Sequence, residues 1–464
     1  MTDDLGQYPE YQDSCLPWLG QVPAHWEEKR AKYYFREVDE RSTTGSEQLM
    51  SVSHKTGVTP RKANVTMFMA ESNVGYKICR TGDLVINTMW AWMAAMGVAR
   101  QTGIVSPSYG VYRPHMASPY VPDYVDHLLR TQPYISEYIC RSTGIRASRL
   151  RLYPEDFLDI PVICPPREEQ EAIVRFIAHH DRLVRRFIHN RRRLIEVLNE
   201  QKQAIINRAV TRGLNPDVPL KPSGIDWIGD IPEHWEQRRL KFLVRNVNEQ
   251  TGSKLPNEVY VALEHVESWT GRITLPDGEV AFDSQVKRFQ PNDVLFGKLR
   301  PYLAKVARPQ VPGVCVGEFL VLRIVEQGIL PEFLEQKLRS KQLINLINSS
   351  TFGAKMPRAD WTFIGNMAVV YPPTHDEQRA MIGQVGEQMA TLQAVIDKAS
   401  REIDLIREYR TRLIADVVTG KVDVRQLAPE TVEAEPEDLD AGLDDEMPGE
   451  DEAGLDQEVT DADD

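Results

Sequence analysis

The chain contains the same sequence pattern twice. The segment Trp18–Trp26, WLGQVPAHW, returns 209 positions later as Trp227–Trp235, WIGDIPEHW. Two further landmarks recur at nearly the same offset, namely 81–86 with 290–295 and 165–170 with 372–378. A period of this length is far too long for a solenoid repeat and has the size of a whole domain. The sequence therefore predicts two copies of one folding unit, which present two similar surfaces suited to a two-part ligand.

The composition is that of an ordinary soluble protein with room for several hydrophobic cores. Its five cysteines are scattered and form no Cys-x-x-Cys pair, which argues against structural zinc and disulfides and fits a reducing cytoplasm. The acidic start of the chain, residues 1–4, lacks the apolar core of a signal peptide, and the most apolar stretch, 89–99, is too short to span a bilayer. We therefore expect a cytoplasmic protein with no membrane segment.

The net charge of −13 is a sum over two unlike parts of the chain, of which residues 1–428 are mildly basic. Residues 429–464 contain 17 Asp or Glu and no Lys or Arg, so the remaining residues carry a charge of +4. The same segment has few large apolar residues, which predicts a disordered acidic tail. Two roles stay open for this tail: a solubilising appendage, or a segment that competes with an anionic ligand for the basic surface.

Each copy ends in a long helical pattern. In the second copy, eleven positions between 382 and 417 follow a three–four alternation, and all but Arg410 are apolar. The first copy keeps this seam less strictly, with interruptions such as Arg191, and Gly213 and Gly420 follow the two patterns as stop signals. A long helix with one apolar stripe needs a partner, so we expect the two to pack as an antiparallel pair related by a pseudo-twofold axis. The alternative is that each helix packs on its own domain.

The motifs of an enzyme are missing from the sequence. The chain has no GxxxxGK[ST] phosphate loop, no glycine-rich nucleotide fingerprint and no His pair spaced for zinc. Its Pro-Pro pairs follow Cys164 and Tyr371, and so lack the Asn/Asp-Pro-Pro-aromatic pattern of amino-methyltransferases. Glu335-Gln336-Lys337 matches part of a nuclease motif, but Glu335 falls within a predicted helix and the pattern is common by chance. These absences indicate a binding protein.

Basic residues cluster in loops at matching places of the two copies. Segments 141–149, 297–305 and 349–358 combine Arg and Lys with Ser, Thr, Gly and aromatic residues. Such loops suit phosphate and base-edge contacts to nucleic acid, and a solvated surface loop is the alternative. The predicted contacts are the cations of these loops: Arg146, Arg149, Lys298, Arg300, Lys355 and Arg358.

Two other groups carry less specific signals. Six arginines between 182 and 193 make the first long helix basic, which suits a solvated face, contact with a nucleic-acid backbone, or an acidic partner. The Trp and His side chains of the repeated segments 18–26 and 227–235, called here the tryptophan motifs, could stack on bases, but we expect them to lock each copy onto its core. Trp90 and Trp92 are likewise assigned to a core or an interface.

Taken together, these features resemble the specificity subunit of type I restriction-modification systems. The resemblance covers about residues 14–427, leaves the acidic tail outside, and weakens at 143–149, which departs from the matching stretch of the second copy. It is carried by the tryptophan motifs, GDLV at 82–85, NDVL at 292–295, FGKLRPYL at 296–303, GAKMPRADW at 353–361, the segments PPREEQ at 165–170 and PPTHDEQ at 372–378 that open the long helices, and VTGK at 418–421.

The resemblance implies an α+β fold in which a pair of long antiparallel helices separates two similar globular target recognition domains. Each domain would read one half of an asymmetric bipartite site in double-stranded DNA, with a fixed unread spacer between the halves. The helices would dock two modification (methyltransferase) subunits, and two restriction subunits would add ATP-driven translocation and cleavage. S-adenosylmethionine, ATP and Mg would then belong to the partner subunits, and this chain would hold no cofactor and no metal.

We accordingly divide the chain into five segments: target recognition domain 1 (14–165), a first spacer helix (166–213), target recognition domain 2 (214–372), a second spacer helix (373–421) and the acidic tail (429–464). The expected function is non-catalytic recognition of DNA sequence. The alternative is a protein-interaction scaffold whose paired helices recruit partners without reading DNA.

Overall fold

The computed structural model describes residues 6–61, 72–116, 118–144, 150–215, 217–225, 227–275, 285–351 and 356–429. Contacts divide the chain into two compact units: unit 1 comprises residues 1–192 and 400–464, and unit 2 comprises residues 193–399. The divisions fall within the two long helices, so each of these helices contributes residues to both units. The sequence-based boundaries, which give each helix a segment of its own, remain a prediction.

Unit 1 builds its globular part from short strands and short helices. The strands are β1 (Tyr11–Asp13), β2 (Gln21–Pro23), β3 (Glu27–Arg30), β4 (Phe35–Glu37), β5 (Met50–Ser53), β6 (Gly57–Pro60), β7 (Lys77–Cys79), β8 (Leu84–Ile86), β9 (Met96–Val98), β10 (Gly103–Val105), β11 (Gly110–Pro114) and β12 (Pro161–Cys164). The helices are α1 (Pro122–Leu129), α2 (Gln132–Arg141), α3 (Pro154–Leu158) and the long α4 (Arg167–Arg212), with 3-10 turns at Ala31–Tyr33 and Ala91–Met93.

Unit 2 repeats this order of elements. Its strands are β13 (Leu220–Pro222), β14 (Asp230–Pro232), β15 (Glu236–Arg239), β16 (Val244–Val247), β17 (Gln250–Thr251), β18 (Val259–Val261), β19 (Val286–Phe289), β20 (Val294–Gly297), β21 (Val306–Ala307), β22 (Gly313–Val316), β23 (Phe319–Ile324) and β24 (Ala368–Tyr371). Its helices are α5 (Leu240–Leu243), α6 (Pro331–Leu338), α7 (Lys341–Ser349), α8 (Trp361–Asn366) and the long α9 (His375–Val418), with a 3-10 turn at Pro301–Leu303.

The two units share one sheet topology. Unit 1 has an antiparallel sheet in the order β4-β11-β8-β9, and unit 2 has the same sheet in the order β16-β23-β20-β21. In both units the strand after the tryptophan motif pairs with the strand before a long helix, as β3–β12 and β15–β24. The expected α+β fold, built twice, is confirmed. The units differ in a second layer, where unit 2 has the sheet β17-β19-β22-β18 and unit 1 has the separate pairs β10-β7 and β5-β6.

The main core of each unit includes the end of a long helix. In unit 1, Leu413 and Val417 of α9 are buried with Trp26 and the other aromatic side chains of that core. In unit 2, Val210 of α4 is buried with Trp235 in the equivalent core. Fully burying one such aliphatic side chain stabilises a fold by about 1.5–3 kcal/mol. Each long helix is therefore held at its carboxyl end by a globular part.

Local sequence explains where the long helices begin and end. Helix α4 starts directly after Pro165-Pro166 and carries Glu168 and Glu169 in its first turn, where carboxylates favour the positive end of the helix dipole. Gly213 and Gly420 follow the two helices with φ of 74° and 78°. This left-handed conformation suits glycine, and it confirms both residues as the predicted stop signals.

The apolar seam of α9 forms as expected. All eleven predicted seam positions are buried or half-buried, including Arg410, whose Nε and Nη2 lie 2.7 and 2.8 Å from the two carboxylate oxygens of Asp181 on α4. Elsewhere in unit 1, Arg191 Nε lies 2.8 Å from a carboxylate oxygen of Glu402. Residue numbers therefore rise along α4 as they fall along α9. In unit 2, the ammonium of Lys202 on α4 donates a hydrogen bond of 2.6 Å to the side-chain oxygen of Gln393 on α9. The predicted antiparallel pair is confirmed.

Candidate nucleic-acid interface

The tryptophan motifs anchor each unit to the start of a long helix. Trp26 is buried, and its Nε1 donates a hydrogen bond of 3.0 Å to Oε1 of Glu169, while Nε2 of His25 lies 2.9 Å from Oε2. In unit 2 the same two contacts, at the same distances, bind the carboxylate of Glu377. These bonds agree with a structural role for the last two residues of each motif, whereas Trp18, at the start of the first motif, is 49% exposed.

The glutamine after each of these glutamates holds a second segment of chain. Gln170 is fully buried; its Oε1 accepts a hydrogen bond from the backbone N–H of Val121, and its Nε2 donates to the carbonyl of Pro165, both at 2.8 Å. Gln378 repeats both bonds in unit 2 at the same distance. The Pro-Pro…Glu-Gln segments at 165–170 and 372–378 thus join the globular part of each unit to its helix.

A buried ion pair fixes the strand that leads to each candidate loop. Nε and Nη2 of Arg113 lie 2.9 Å from the two carboxylate oxygens of Asp83, which also accepts a hydrogen bond of 2.8 Å from the backbone of Arg80. Arg323 binds Asp293 in the same bidentate way, at 2.9 and 2.6 Å. Such charge-assisted pairs are strong and geometrically specific. They explain why an aspartate recurs in both the GDLV and the NDVL landmark.

Three of the predicted contact residues meet at the loop between β20 and β21, called here the β20–β21 loop. The backbone N–H of Arg300 donates to the carbonyl of Pro357, and the N–H of Ala359 donates to the carbonyl of Lys298, both at 2.8 Å. An isolated β-bridge between Leu299 and Arg358 completes the pairing. Lys298, Arg300 and Arg358 are therefore brought together by backbone contacts.

The surroundings of these cations make the β20–β21 loop locally positive. Arg300 is exposed, and Arg358, with 57% of its side chain exposed, pairs with Glu318 at 3.0 Å. Lys287 is buried beneath the loop, where burial and the neighbouring Lys298 lower the pKa of its ammonium. A cluster with more cations than carboxylates on a solvent-facing loop suits a polyanion such as a nucleic acid.

Unit 1 carries a loop at the same place, between β8 and β9. The backbone N–H of Leu152 donates to the carbonyl of Thr88 at 2.9 Å, as Ala359 does to Lys298 in unit 2. This correspondence gives Arg151 the place of Arg358. Sequence reasoning missed Arg151 because the segments that precede Arg151 and Arg358 have little sequence similarity. The matching backbone hydrogen bond identifies Arg151 as the counterpart of Arg358.

The other predicted contacts cannot be placed. Arg146 and Arg149 belong to the segment 145–149, and Lys355 belongs to the segment 352–355; both segments lie outside the described residues. Thr143 and Arg151 flank the first segment and pair through two backbone hydrogen bonds of 3.0 and 2.9 Å. The roles of Arg146, Arg149 and Lys355 as nucleic-acid contacts remain predictions.

Glu335 and Lys337, which match part of a nuclease motif, have structural roles. A carboxylate oxygen of Glu335 lies 2.9 Å from Arg339 and the other lies 3.4 Å from Arg308, while burial raises the pKa of this carboxyl. Lys337 is fully buried, its ammonium donates to the carbonyl of Val210 near the end of α4, and burial lowers its pKa to about 7. These contacts account for both side chains without a catalytic role.

Within the described ranges, no group of three or more His, Cys, Asp or Glu side chains is arranged to hold a metal ion. Among the helices of that same part of the chain, none is both long and apolar enough to cross a bilayer.

Comparisons with known proteins point to one family. No protein-family model matches the chain. The chain is 21% identical over 292 residues to the type I restriction enzyme EcoDI specificity subunit of Escherichia coli, in an alignment that covers 58% of this chain and 63% of that protein. It is 32% identical over 117 residues to a candidate type I restriction enzyme MjaX specificity subunit of Methanocaldococcus jannaschii, which covers 25% of each chain. The chain thus spans less than two thirds of either curated relative.

A solved structure extends the likeness to the fold. A chain from a study of complex assembly and conformational transition in a type I R-M system superposes with a TM-score of 0.57 at 16% identity. The match covers 86% of this chain and 98% of that chain. In sequence the chain resembles specificity subunits of type I restriction-modification systems, and in fold it resembles a chain of a solved type I R-M system.

Proposed function

We propose that this chain is the DNA-recognition (specificity) subunit of a type I restriction-modification complex and has no catalytic activity of its own. It reads an asymmetric, bipartite sequence in double-stranded DNA, and each unit contacts one half of that site. Phosphate contacts supply much of the affinity and its salt dependence, and base-edge contacts supply the choice of sequence.

The observation that carries this proposal is a repeated scaffold with unlike loops. The two units share the sheet order, the buried Asp–Arg pair and the Trp–Glu anchor. At the loop after β8 or β20, however, one unit has the buried Thr88 and the half-buried Trp90, and the other has the half-buried Lys298 and the exposed Arg300. A fold copied with different side chains at the same loop suits a ligand whose two halves differ. The likeness to specificity subunits supports the same conclusion.

We further propose that the other activities lie on partner subunits. Two modification subunits would dock on the paired helices and use S-adenosylmethionine, and two restriction subunits would use ATP and Mg. The complex would act in the cytoplasm, where its DNA lies. The missing nucleotide and methyltransferase motifs of the sequence support this division.

The decisive experiment maps methylated adenines in cells with and without the gene. We expect one bipartite motif with non-identical halves to lose its methylation when the gene is deleted. An unchanged set of methylated motifs would contradict DNA recognition and leave the scaffold interpretation.

A second experiment tests two of the predicted contacts, Lys355 and Arg358. In the assembled methyltransferase, replacing both by alanine should weaken binding to a duplex with the methylated motif and lower the slope of log K against log salt, by about 0.9 for each lost phosphate contact. The control is Arg238→Ala, which removes an arginine on β15 that is paired with Glu326 at 2.9 Å. Equal affinity of the double variant and the control would remove both residues from the interface.

A further inference from the structure

The loops after β8 and β20 share a pattern of backbone hydrogen bonds. Their amides make matching hydrogen bonds, of 2.8–3.1 Å, at an offset of 210 residues. The pairs are Asn87 to Ala95 with Gly297 to Lys305, Met93 to Trp90 with Leu303 to Arg300, Ala94 to Ala91 with Ala304 to Pro301, and Met96 to Ala94 with Val306 to Ala304. Ala94 and Ala304 both adopt left-handed conformations, with φ of 58° and 47°.

This shared hydrogen-bond pattern gives Trp90 the place of Arg300, although the backbone differs at this position, with φ of −119° for Trp90 and 49° for Arg300. Both residues directly precede the 3-10 turn of their loop, in which the next aromatic side chain is Trp92 in unit 1 and Tyr302 in unit 2. Thr88 stands where unit 2 has Lys298. The aromatic position is kept, but both cations of this part of the loop are replaced in unit 1.

The indole rings of the β8–β9 loop, those of Trp90 and Trp92, are not fully buried in the core. Trp90 and Trp92 are only half-buried, whereas Trp26 and Trp235 are buried. Trp92 donates its indole N–H to the carbonyl of Met89 at 3.0 Å, so its polar group is satisfied within the loop. The surface that this loop can offer a ligand is therefore aromatic, while the β20–β21 loop offers guanidinium and ammonium groups.

From this correspondence we infer that Trp90 is the unit 1 counterpart of Arg300 in contacting DNA. Unit 2 contacts its half of the site with a cation, and unit 1 contacts the other half with an aromatic face, which packs on sugar or on base edges such as the thymine methyl group. The inference rests on the proposed function and names one reading residue for each half-site. It assigns Trp90 to an interface with DNA rather than to the core.

The test compares Trp90→Ala with Arg300→Ala, two changes at one position of the repeated fold. Binding of the assembled methyltransferase to the motif duplex is measured from low to high salt. We expect Trp90→Ala to weaken binding on the order of tenfold with an unchanged salt slope, as for loss of an aromatic contact. Arg300→Ala should weaken binding and lower the slope by about 0.9. Trp90→Phe should keep most of the affinity because it keeps an aromatic face.

Base substitutions then assign each residue to a half-site. We expect Trp90→Ala to relax discrimination in one half only and Arg300→Ala in the other half only. If Trp90→Ala binds like the parent, or if Trp90→Phe loses as much affinity as Trp90→Ala, the inference is wrong. If the parent complex does not prefer the motif duplex over a scrambled duplex, the proposed function itself fails, and the two failures are thereby distinguished.

Discussion

At the residue scale, the two units satisfy the same backbone group with different side chains. The carbonyl of Val418, at the end of α9, accepts a hydrogen bond of 2.9 Å from the hydroxyl of Tyr124. The matching carbonyl, that of Val210 at the end of α4, accepts one from the ammonium of Lys337. Both donors come from equivalent helices, α1 and α6. A buried carbonyl without a donor costs about 1–3 kcal/mol, so each unit needs one of these solutions.

Lys337 makes the stability of the protein depend on pH. Its pKa is lowered from 10.5 to about 7 by burial, so between these values the unfolded chain binds a proton that the folded protein does not. We therefore expect this residue to raise the free energy of unfolding as pH increases from about 7 toward 10.5. Denaturant unfolding at several pH values between 7 and 9 measures the rise.

The tyrosine that donates to the helix-end carbonyl in unit 1 provides the matched control for this prediction. In the variant Phe333→Tyr with Lys337→Leu, unit 2 receives the residues of unit 1, where Tyr124 and Leu128 occupy these positions. The variant keeps a donor for the carbonyl of Val210 and loses the titrating group, so its unfolding free energy should rise less with pH. An identical pH dependence in parent and variant would contradict the assignment.

At the element scale, the apolar seam of α9 contains one polar exception. Arg410 occupies a seam position and is neutralised by Asp181 of the facing helix. The side chains of Asp181 and Arg410 are 14% and 29% exposed, so the pair is partly shielded from water. Removing one partner of such a pair is destabilising because it leaves a poorly solvated charge, whereas replacing both by apolar residues is often neutral or stabilising.

We accordingly expect Asp181→Ala to lower the stability of unit 1 by about 1–3 kcal/mol. The variant with leucine at both 181 and 410 should unfold at or above the parent temperature in calorimetry. Glu196→Ala is the control, because it breaks the exposed pair of Glu196 with Arg193 on the same helix and should change little. If Asp181→Ala unfolds at the same temperature as this control, the ion pair does not stabilise the helix pair.

The long helices could be predicted because their signals are local: a seam repeated over eleven positions, and a glycine within two residues of the end of each helix. The partners of Trp26 and Trp235 could not, because Glu169 and Glu377 lie more than 140 positions away in sequence. At the candidate site, sequence reasoning identified the cations of the β20–β21 loop but assigned Trp90 to a core or an interface without a ligand. The equivalence of Trp90 with Arg300 rests on backbone hydrogen bonds. Because the two side chains are dissimilar, the sequence does not reveal this equivalence.

At the scale of the whole molecule, charge is distributed unevenly between the folded body and the acidic tail. The last described residue, Pro429, accepts a hydrogen bond of 3.2 Å at its carbonyl from Nε of Arg175 on α4. The described chain therefore ends beside the helix that carries the arginine cluster at 182–193. All 17 carboxylates of the acidic tail follow this point in sequence, which suits competition with a polyanion for the basic helix.

We expect a chain that ends at Ala428 to bind unrelated DNA more tightly than the full chain at low salt. The difference should shrink as salt rises, because screening weakens the competition. A full-length variant with the tail carboxylates changed to amides separates charge from length and should behave like the truncated chain. Identical binding of all three proteins at every salt concentration would leave only the solubility role.

The hydrogen bonds that shape the loops after β8 and β20 join backbone atoms, so they place few demands on side-chain identity. Ala94, Arg300 and Ala304, with their positive φ angles, are restricted in what can replace them. Point substitutions elsewhere in either loop can accumulate during evolution while the chain path stays the same. A library randomised at position 90, or at position 298, should therefore yield mostly folded proteins. Selection can then change the DNA half-site that one unit recognises without changing the half-site that the other unit recognises.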